Sequence, residues 1–276
     1  MKRVNSKQAE STRRVGWLLG PVMVSYGSDE IGDEARFQAR DLATAGAVEV
    51  ESWATEGCIS SNAANLATAN GSGLVVLPGS MVVSTEGQQR MRESLATACP
   101  VLVARSRLGG PVMVLADTMR TGLGAMAVAA DEARRLDRPL LVVHAADGNS
   151  NFANDGLRPV SAMSLRVCLE TIRLRWGVAV ESRSIEGPCV SSLTLLARAS
   201  AARLIVLRAY DDSDVDDTTR TQRTIEIASV APCSVLLLPP PSEAKQWHDG
   251  RPASLASLSR PRISSNVSIP TQGGVQ

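Results

Sequence analysis

The sequence predicts a doubly wound α/β protein built from two related units, the first with a four-stranded parallel sheet and the second with a five-stranded one. Short runs of β-branched and aliphatic residues alternate with longer stretches of helical periodicity. Several of these short runs are apolar throughout, which is typical of parallel strands covered on both faces. Motifs of the first half also recur in the second half at a constant spacing.

In the second half, five strand candidates alternate with helices that can be read from their apolar spacing. One helix is indicated by Leu165, Leu169, Ile172 and Trp176, and Gly177 ends it. A preceding helix has apolar positions at Leu123, Ala127, Ala130 and Ala133. The strands are predicted over residues 111–116, 140–145, 178–185, 204–207 and 234–238.

The first half repeats part of this order. Val-Glu-Ser occurs at 50–52 and 180–182, and a Leu-Val-Val-Leu run at 74–77 corresponds to 204–207, both at an offset of 130. Upstream, Gly-Pro-Val-Met-Val recurs at an offset of only 90, so the first unit lacks about one strand-helix pair. Its helix is predicted over 33–45, ending at Gly46. Its strands are predicted over 21–26, 48–53, 73–77 and 101–104.

Four strands still form a continuous sheet if the second lies outside the first and the third and fourth lie on its other side. The predicted domain limits are 15–107 for the shortened unit and 108–240 for the complete one. Residues 1–14 are expected to be flexible. Residues 241–276, which are Pro- and Ser-rich, are expected to form a disordered tail, with docking through Trp247 as the alternative.

Composition excludes several functional classes. The net charge is +1 and aromatic residues make up 3%, which argues against nucleic acid and anionic membranes as partners. Only two histidines occur, and the five cysteines are scattered, so reduced, mostly buried thiols are expected and no metal site is. The apolar stretch 15–24 is too short to span a membrane and lacks a cleavage site, so we expect a cytoplasmic protein.

Four motifs of the second half resemble those of the universal stress protein family. They are Val-Leu-Ala-Asp-Thr at 114–118, Glu-Gly at 186–187, Leu-Ile-Val-Leu at 204–207 and Ala-Pro-Cys-Ser-Val-Leu-Leu-Leu at 231–238. The resemblance covers 111–239 well and 21–106 in part. It implies strand order 3-2-1-4-5 in the second unit, an intramolecular pseudo-dimer of the two units, and stress-related regulation without catalysis.

In nucleotide-binding members of that family, an Asp after the first strand contacts adenosine, and a glycine-rich loop after the fourth strand holds the phosphates. The resemblance places Asp117, with Thr118, at the first position. The segment 208–217 instead contains no glycine and five aspartates, which would repel a triphosphate. We therefore expect no cofactor, and no ATP bound in the usual way, although ATP or AMP at the Asp117 edge stays open.

The first half offers fewer candidate ligand-binding residues, since Gly27 stands at the position that Asp117 occupies in the second half. Gly79-Ser80 can be a small-anion site or a plain turn, and the turn is favoured. His144 is interpreted as a packed histidine in preference to a general base. The acidic run 211–217 is interpreted as a solvated loop, and Arg166, Arg173 and Arg175 as a solvated helix face with Glu170.

These observations predict a non-catalytic regulatory or stress-response protein that acts through an unidentified protein partner or through oligomerisation, including a homodimer. The alternative is an adenine-nucleotide or nucleoside sensor that uses the Asp117 edge. A nucleotide hydrolase is disfavoured, because the chain has no glycine-rich phosphate loop.

Overall fold

The computed structural model describes residues 17–18, 20–26, 30–54, 73–96, 99–106, 108–116, 119–145, 162–209 and 215–239. All of them belong to one compact unit. The predicted flexible start (1–14) and disordered tail (241–276) lie outside the described residues.

Strands and helices alternate along the described chain. The elements of the first half are β1 (Val22–Tyr26), α1 (Glu30–Gly46), β2 (Val50–Ala54), β3 (Leu74–Pro78), a 3-10 turn (Met81–Val83), α2 (Thr85–Ala96) and β4 (Val101–Ala104). Those of the second half are β5 (Val112–Ala116), α3 (Met119–Leu136), β6 (Leu140–Ala145), α4 (Ala162–Trp176), β7 (Val180–Ile185), α5 (Cys189–Ala199), β8 (Leu204–Arg208), α6 (Val215–Val230) and β9 (Ser234–Leu238).

The nine strands form one sheet in the order β2-β1-β3-β4-β9-β8-β5-β6-β7. Within each half all neighbouring strands are parallel. The second half therefore has the predicted order 3-2-1-4-5, and in the first half the second strand lies outside the first, as predicted. The α/β fold class, with its Rossmann-like units, is confirmed.

The two halves join through an antiparallel pair, β4 with β9. Val101 lies opposite Leu237 and Val103 opposite Val235. Every residue of both strands is buried, so the join lies in the interior of the continuous sheet. The described residues form a single compact unit, in which no boundary between the halves is marked. The domain limits 15–107 and 108–240 therefore remain a prediction.

Helices cover both faces of the sheet, because alternate strand residues point to opposite sides. One core contains Val76 and Val114 and packs against α1, α3 and α4. The other contains Val75 and Met113 and packs against α2, α5 and α6. Burial on both faces explains why the central strands read as continuous apolar runs.

Strands 101–104, 140–145 and 234–238 have the predicted bounds. The helix predicted over 33–45 begins earlier, at Glu30, and Gly46 is its last residue. Ala47, with φ of 54°, is the residue that leaves the helix. Gly46 lies close to Leu18, because a β-carbon there would lie 2.9 Å from Cδ2 of that residue. Gly177 ends α4 as predicted, with φ of 64°.

Four cysteines in the described part of the chain are buried, as expected: Cys99, Cys168, Cys189 and Cys233. The fifth, Cys58, lies outside it. None of the described helices combines the length and apolar character needed to cross a membrane.

Candidate functional site

The edge of the sheet at the carboxyl ends of β5 and β8 is the first candidate site. From β5 the chain crosses to β6 on one side, whereas β8 leads to β9 on the other. Open α/β sheets bind ligands at such a reversal point. Asp117 and Thr118 follow directly after β5 in sequence, but they lie outside the described residues, so their role as ligand contacts remains a prediction.

Arg208, the last residue of β8, extends its side chain to α3. A β-carbon at Gly124 of α3 would clash with Nη1 of Arg208 and lie 3.4 Å from its Cζ. The glycine thus leaves room for the guanidinium beside the helix that follows β5. Arg208 was not predicted to occupy this position. Its only sequence signal is a cation at the end of an apolar strand.

The acidic run after Arg208 extends into a helix. Helix α6 begins at Val215, so Asp216 and Asp217 belong to its first turn. The prediction of a solvated loop over 211–217 is wrong for these residues. The physical reason is that carboxylates are favourable at the amino end of a helix, where the helix dipole is positive. Residues 211–214 lie outside the described part.

The corresponding edge in the first half is closed by packing. The amide of Gly79 donates a hydrogen bond of 2.8 Å to the carbonyl oxygen of Ala104. A β-carbon at Gly79 would lie 2.7 Å from Cγ of Arg105. Because this amide is already bonded to protein, the turn interpretation of Gly79-Ser80 is favoured over an anion site. Gly27 lies outside the described residues.

His144 stands one residue before the end of β6, in register with Ala116 and Ser184. It is half-buried.

On the solvated helix face, Arg173 pairs with Glu170 at 2.6 Å, and the guanidinium of Arg175 lies 5.1 Å from the ring of Trp176. The interpretation of this face as solvated is supported, because Arg166, Arg173 and Arg175 are exposed.

A polar network crosses the join between the halves. Ser234 Oγ, in β9, donates to Oε1 of Gln38 in α1 at 3.0 Å and accepts from the amide of Arg105 at 3.0 Å. Nε2 of Gln38 donates to the carbonyl oxygen of Arg105 at 2.8 Å. Nη2 of Arg105 donates to the carbonyl oxygen of Ser229 at 3.0 Å. Buried polar groups are thereby satisfied across the join.

Burial dominates the electrostatics at this join. Desolvation lowers the pKa of Arg105, and the nearby Cys233 opposes that shift. Burial raises the pKa of the Cys233 thiol to about 12, against a smaller opposing effect of the Arg105 charge. The thiol is therefore protonated at neutral pH and is a poor nucleophile.

A second buried polar cluster links the two halves on the same face as Gln38 and Ser234, around one small cavity. The carboxylate of Glu132, 1% exposed, accepts bonds from Nε1 of Trp17 at 3.1 Å and from Nη2 of Arg135 at 2.8 Å. Nη1 of Arg135 donates to Asp41 at 3.0 Å. Burial lowers the pKa of Arg135, but the carboxylates of Glu132 and Asp41 raise it. The net effect is a raised pKa. The adjoining cavity of about 30 Å³ has room for one water molecule and no larger ligand.

A wider groove of about 680 Å³ runs between α5 and α6. Its rim includes Leu195 and Val230, which are 63% and 50% exposed. No group of three or more possible metal ligands occurs among the described residues. The site features are thus one cation at the reversal point, two buried polar clusters and an open groove.

The fold defines this chain as a doubly wound, Rossmann-like α/β protein, and comparison with solved structures identifies the fold as that of universal stress proteins. A universal stress protein from Archaeoglobus fulgidus matches with a TM-score of 0.53 at 13% identity, over 82% of this chain and 90% of that one. A putative universal stress protein from Pseudomonas aeruginosa matches with a TM-score of 0.50 at 16% identity, over 80% and 82%.

A universal stress protein in complex with cAMP matches at 20% identity, over 49% of this chain and all of that one, with a TM-score of 0.39. No protein-family model matches the sequence, and no curated protein matches it. The comparisons therefore establish the fold.

Proposed function

We propose that this chain is a non-catalytic regulatory protein of the universal-stress-protein type, which acts through protein contacts or self-association and does not bind ATP in the usual way. The fold supports the class of protein. The segment 208–217 stands where a glycine-rich phosphate loop would stand, and it contains no glycine and five aspartates. This difference supports the absence of ATP binding.

The observation that carries the proposal is the chain around the end of β8, where aspartates replace the glycines of a phosphate loop. Phosphate sites in this type of fold use glycine amides at the start of a helix, close to a strand end. Here the strand β8 ends in an arginine whose guanidinium packs on Gly124, and α6 begins with two aspartates. A side chain occupies the space beside α3, and the sequence supplies aspartates in place of glycines at the start of α6.

A second candidate function is an adenine-nucleotide or nucleoside sensor. It is favoured by the reversal point between β5 and β8, next to which Asp117 stands in sequence. Such a ligand would bind by its nucleoside part, because the phosphates would meet the acidic segment.

A titration with nucleotides separates the two candidates. The purified chain is titrated with ATP, ADP, AMP and cyclic nucleotides, with and without magnesium, and followed by calorimetry and thermal unfolding. A ligand at 100 times its dissociation constant adds about 2.7 kcal/mol of stability, which is readily detected. We expect no shift with any of them.

The Asp117→Ala variant supplies the specificity test, and Asp33→Ala, which removes an exposed carboxylate on α1, is its matched control. A saturable shift that is lost in Asp117→Ala and kept in Asp33→Ala would establish the sensor. Phosphate release from ATP that disappears in Asp117→Ala would instead establish a hydrolase. Either result would overturn the proposed function.

A further inference from the structure

Strand β7 forms one end of the sheet, with β6 as its only strand neighbour within the described part of the chain. Its two end residues are buried, and the four between them, residues 181–184, are exposed. The side chains in the middle of β7 are therefore exposed on both faces, and no strand within the described residues lies along its outer edge, so another strand could approach it.

The backbone groups on the outer edge can be identified. The carbonyl oxygen of Ala179 accepts a bond of 2.8 Å from the amide of Leu140 in β6, so Ala179 faces inward. Successive residues of a strand alternate in direction, so Val180, Ser182 and Ser184 face outward. The carbonyl of Val180 accordingly receives Nη2 of Arg173 at 2.7 Å from outside the sheet. That carbonyl keeps a second lone pair for another donor.

We propose that β7 is the interface for a second copy of this chain, which pairs antiparallel with it about a two-fold axis through Ser182. In that register the amide and carbonyl of Ser182 bond to those of the other Ser182, and Val180 lies opposite Ser184. Glu181 of each copy then lies opposite Arg183 of the other. The two copies thus form two cross-strand ion pairs.

The charges select this register against its neighbours. A two-fold axis through residue 181 would place the two Glu181 carboxylates opposite each other. An axis through residue 183 would do the same with the two Arg183 guanidinium groups. Like charges directly opposite destabilise an antiparallel pair, whereas opposite charges stabilise it. Edge charges normally discourage pairing, but in β7 they favour the register through Ser182 over the two registers beside it.

The opposite end of the sheet lacks this property. Strand β2 carries the same Val-Glu-Ser start as β7, but Trp53 stands in β2 where Arg183 stands in β7. Antiparallel pairing of β2 with itself would bring no cation opposite Glu51. An isologous β7 contact closes at two copies, whereas a β2–β7 contact between copies would propagate. The proposal therefore specifies a dimer.

The test uses the full chain and two charge-reversal variants, Glu181→Arg and Arg183→Glu. Each alone places like charges opposite each other in the dimer. Mixed together they restore both ion pairs, because one chain then carries two cations and the other two anions at these positions. Mass is measured by sedimentation over a range of protein concentrations, at low salt. Fold retention is checked by circular dichroism, and the exposed positions should tolerate the changes.

We expect the wild type to be a concentration-dependent dimer, since five paired residues make a small interface. Each variant alone should dissociate at least tenfold more readily, and their equimolar mixture should dimerise like the wild type. Ser182→Pro, which removes the outward amide of an edge strand, should also abolish the dimer. Control reversals at exposed positions elsewhere, Glu49→Arg and Arg138→Glu, should change nothing.

A wild type that stays monomeric at every concentration would overturn the proposal. A dimer that survives both single reversals, or a mixture that fails to restore it, would also overturn it, as would masses above that of a dimer. These outcomes are independent of the nucleotide titration, which tests the proposed function separately.

Discussion

Ser234 and Gln38 are 196 residues apart in sequence, yet their side chains share a buried hydrogen bond of 3.0 Å from Oγ to Oε1. Ser234 begins the last strand, and Gln38 lies in the first helix. The bond lies at the β4–β9 join, where the amide and carbonyl of Arg105 also bond to this pair. This group of atoms connects three elements that are remote in sequence.

Ser234→Ala should destabilise the chain by about 1–3 kcal/mol, because it leaves the Gln38 oxygen and the Arg105 amide without this partner in a buried place. Urea unfolding measures the change. Ser191→Ala, at an exposed position of α5, is the control and should stay within about 0.5 kcal/mol of the wild type. Equal effects of the two substitutions would show that the join does not depend on this hydroxyl.

Arg135→Met should be more damaging than the same change at Arg36. Arg135 is the cation of the buried cluster, and its loss leaves the Glu132 carboxylate, 1% exposed, without its ion pair. A cost of about 3–5 kcal/mol is expected for such a change. The pair of Arg36 with Asp33 is far more exposed, and its loss should cost less than about 1 kcal/mol.

The double variant Arg135→Met, Glu132→Gln identifies the source of that cost. If an uncompensated charge is responsible, the double variant should recover part of the lost stability. No recovery in urea unfolding would mean that packing of the arginine side chain, and not its charge, stabilises the cluster.

Cys233 should make stability depend on alkaline pH. Burial raises the pKa of its thiol from an ordinary 9.0 to about 12, so the folded chain holds this proton more tightly than the unfolded chain. This contribution is complete below the pKa of the unfolded thiol and is lost as the pH rises through that value towards 12. The free energy of unfolding, followed from about pH 8 to 11, should therefore fall less steeply in Cys233→Ala.

The alanine substitution also costs packing, but that cost does not depend on pH. A constant difference between the two proteins over the whole range would contradict a raised pKa. Alkylation offers a second measurement: Cys233 should stay unmodified in the folded chain at pH 8 and react once the chain is unfolded.

Gly110 and Gly109 form a matched pair of adjacent positions. A β-carbon at Gly110 would clash with the carbonyl oxygens of Ser200 and Ala201, whereas one at Gly109 would meet nothing within 4 Å. Gly110→Ala should thus cost about 2 kcal/mol or more, since backbone atoms must move. Gly109→Ala should be neutral or slightly stabilising. The reverse order of the two in thermal unfolding would refute the close approach.

The second half alone, Leu108 to Pro240, should self-associate or precipitate. Removing the first half exposes the edge of β9, all five residues of which are buried in the full chain. Long apolar edges pair with other chains. Light scattering and sedimentation measure the outcome. A well-behaved monomer would show that the first half is not needed to cover β9.

The sequence was sufficient for the strands and their order. Apolar runs predicted residues 101–104, 140–145 and 234–238 as strands, because strands covered on both faces lack polar alternation. The resemblance to universal stress proteins implied the order in the second half, and right-handed crossovers permit the order predicted for the first. The start of α1 was missed, since Glu30 is polar and Gly32 disfavours a helix.

The join between the halves and the candidate site were much harder to predict from the sequence. Pairing of β4 with β9 depends on two edges meeting in space, and no local pattern in either strand specifies its neighbour. The Arg208–Gly124 contact likewise depends on how α3 packs beside β8, which neither local sequence specifies. One signal was present: Ser234 is a polar residue at the start of an otherwise apolar strand, which marks a buried hydrogen-bonding position. Asp117 and Thr118 remain predictions from the sequence.

The β4–β9 pair also sets the order of events during synthesis. Strand β4 ends at residue 104, and its neighbour begins at residue 234. Ribosomes add about 5–20 residues per second, so the first half waits roughly ten seconds for the strand that completes its sheet. During that time β4 is a bare, wholly apolar edge on a nascent chain. A cell that makes this protein must shield that edge, and chaperone demand should concentrate on the interval before β9 emerges.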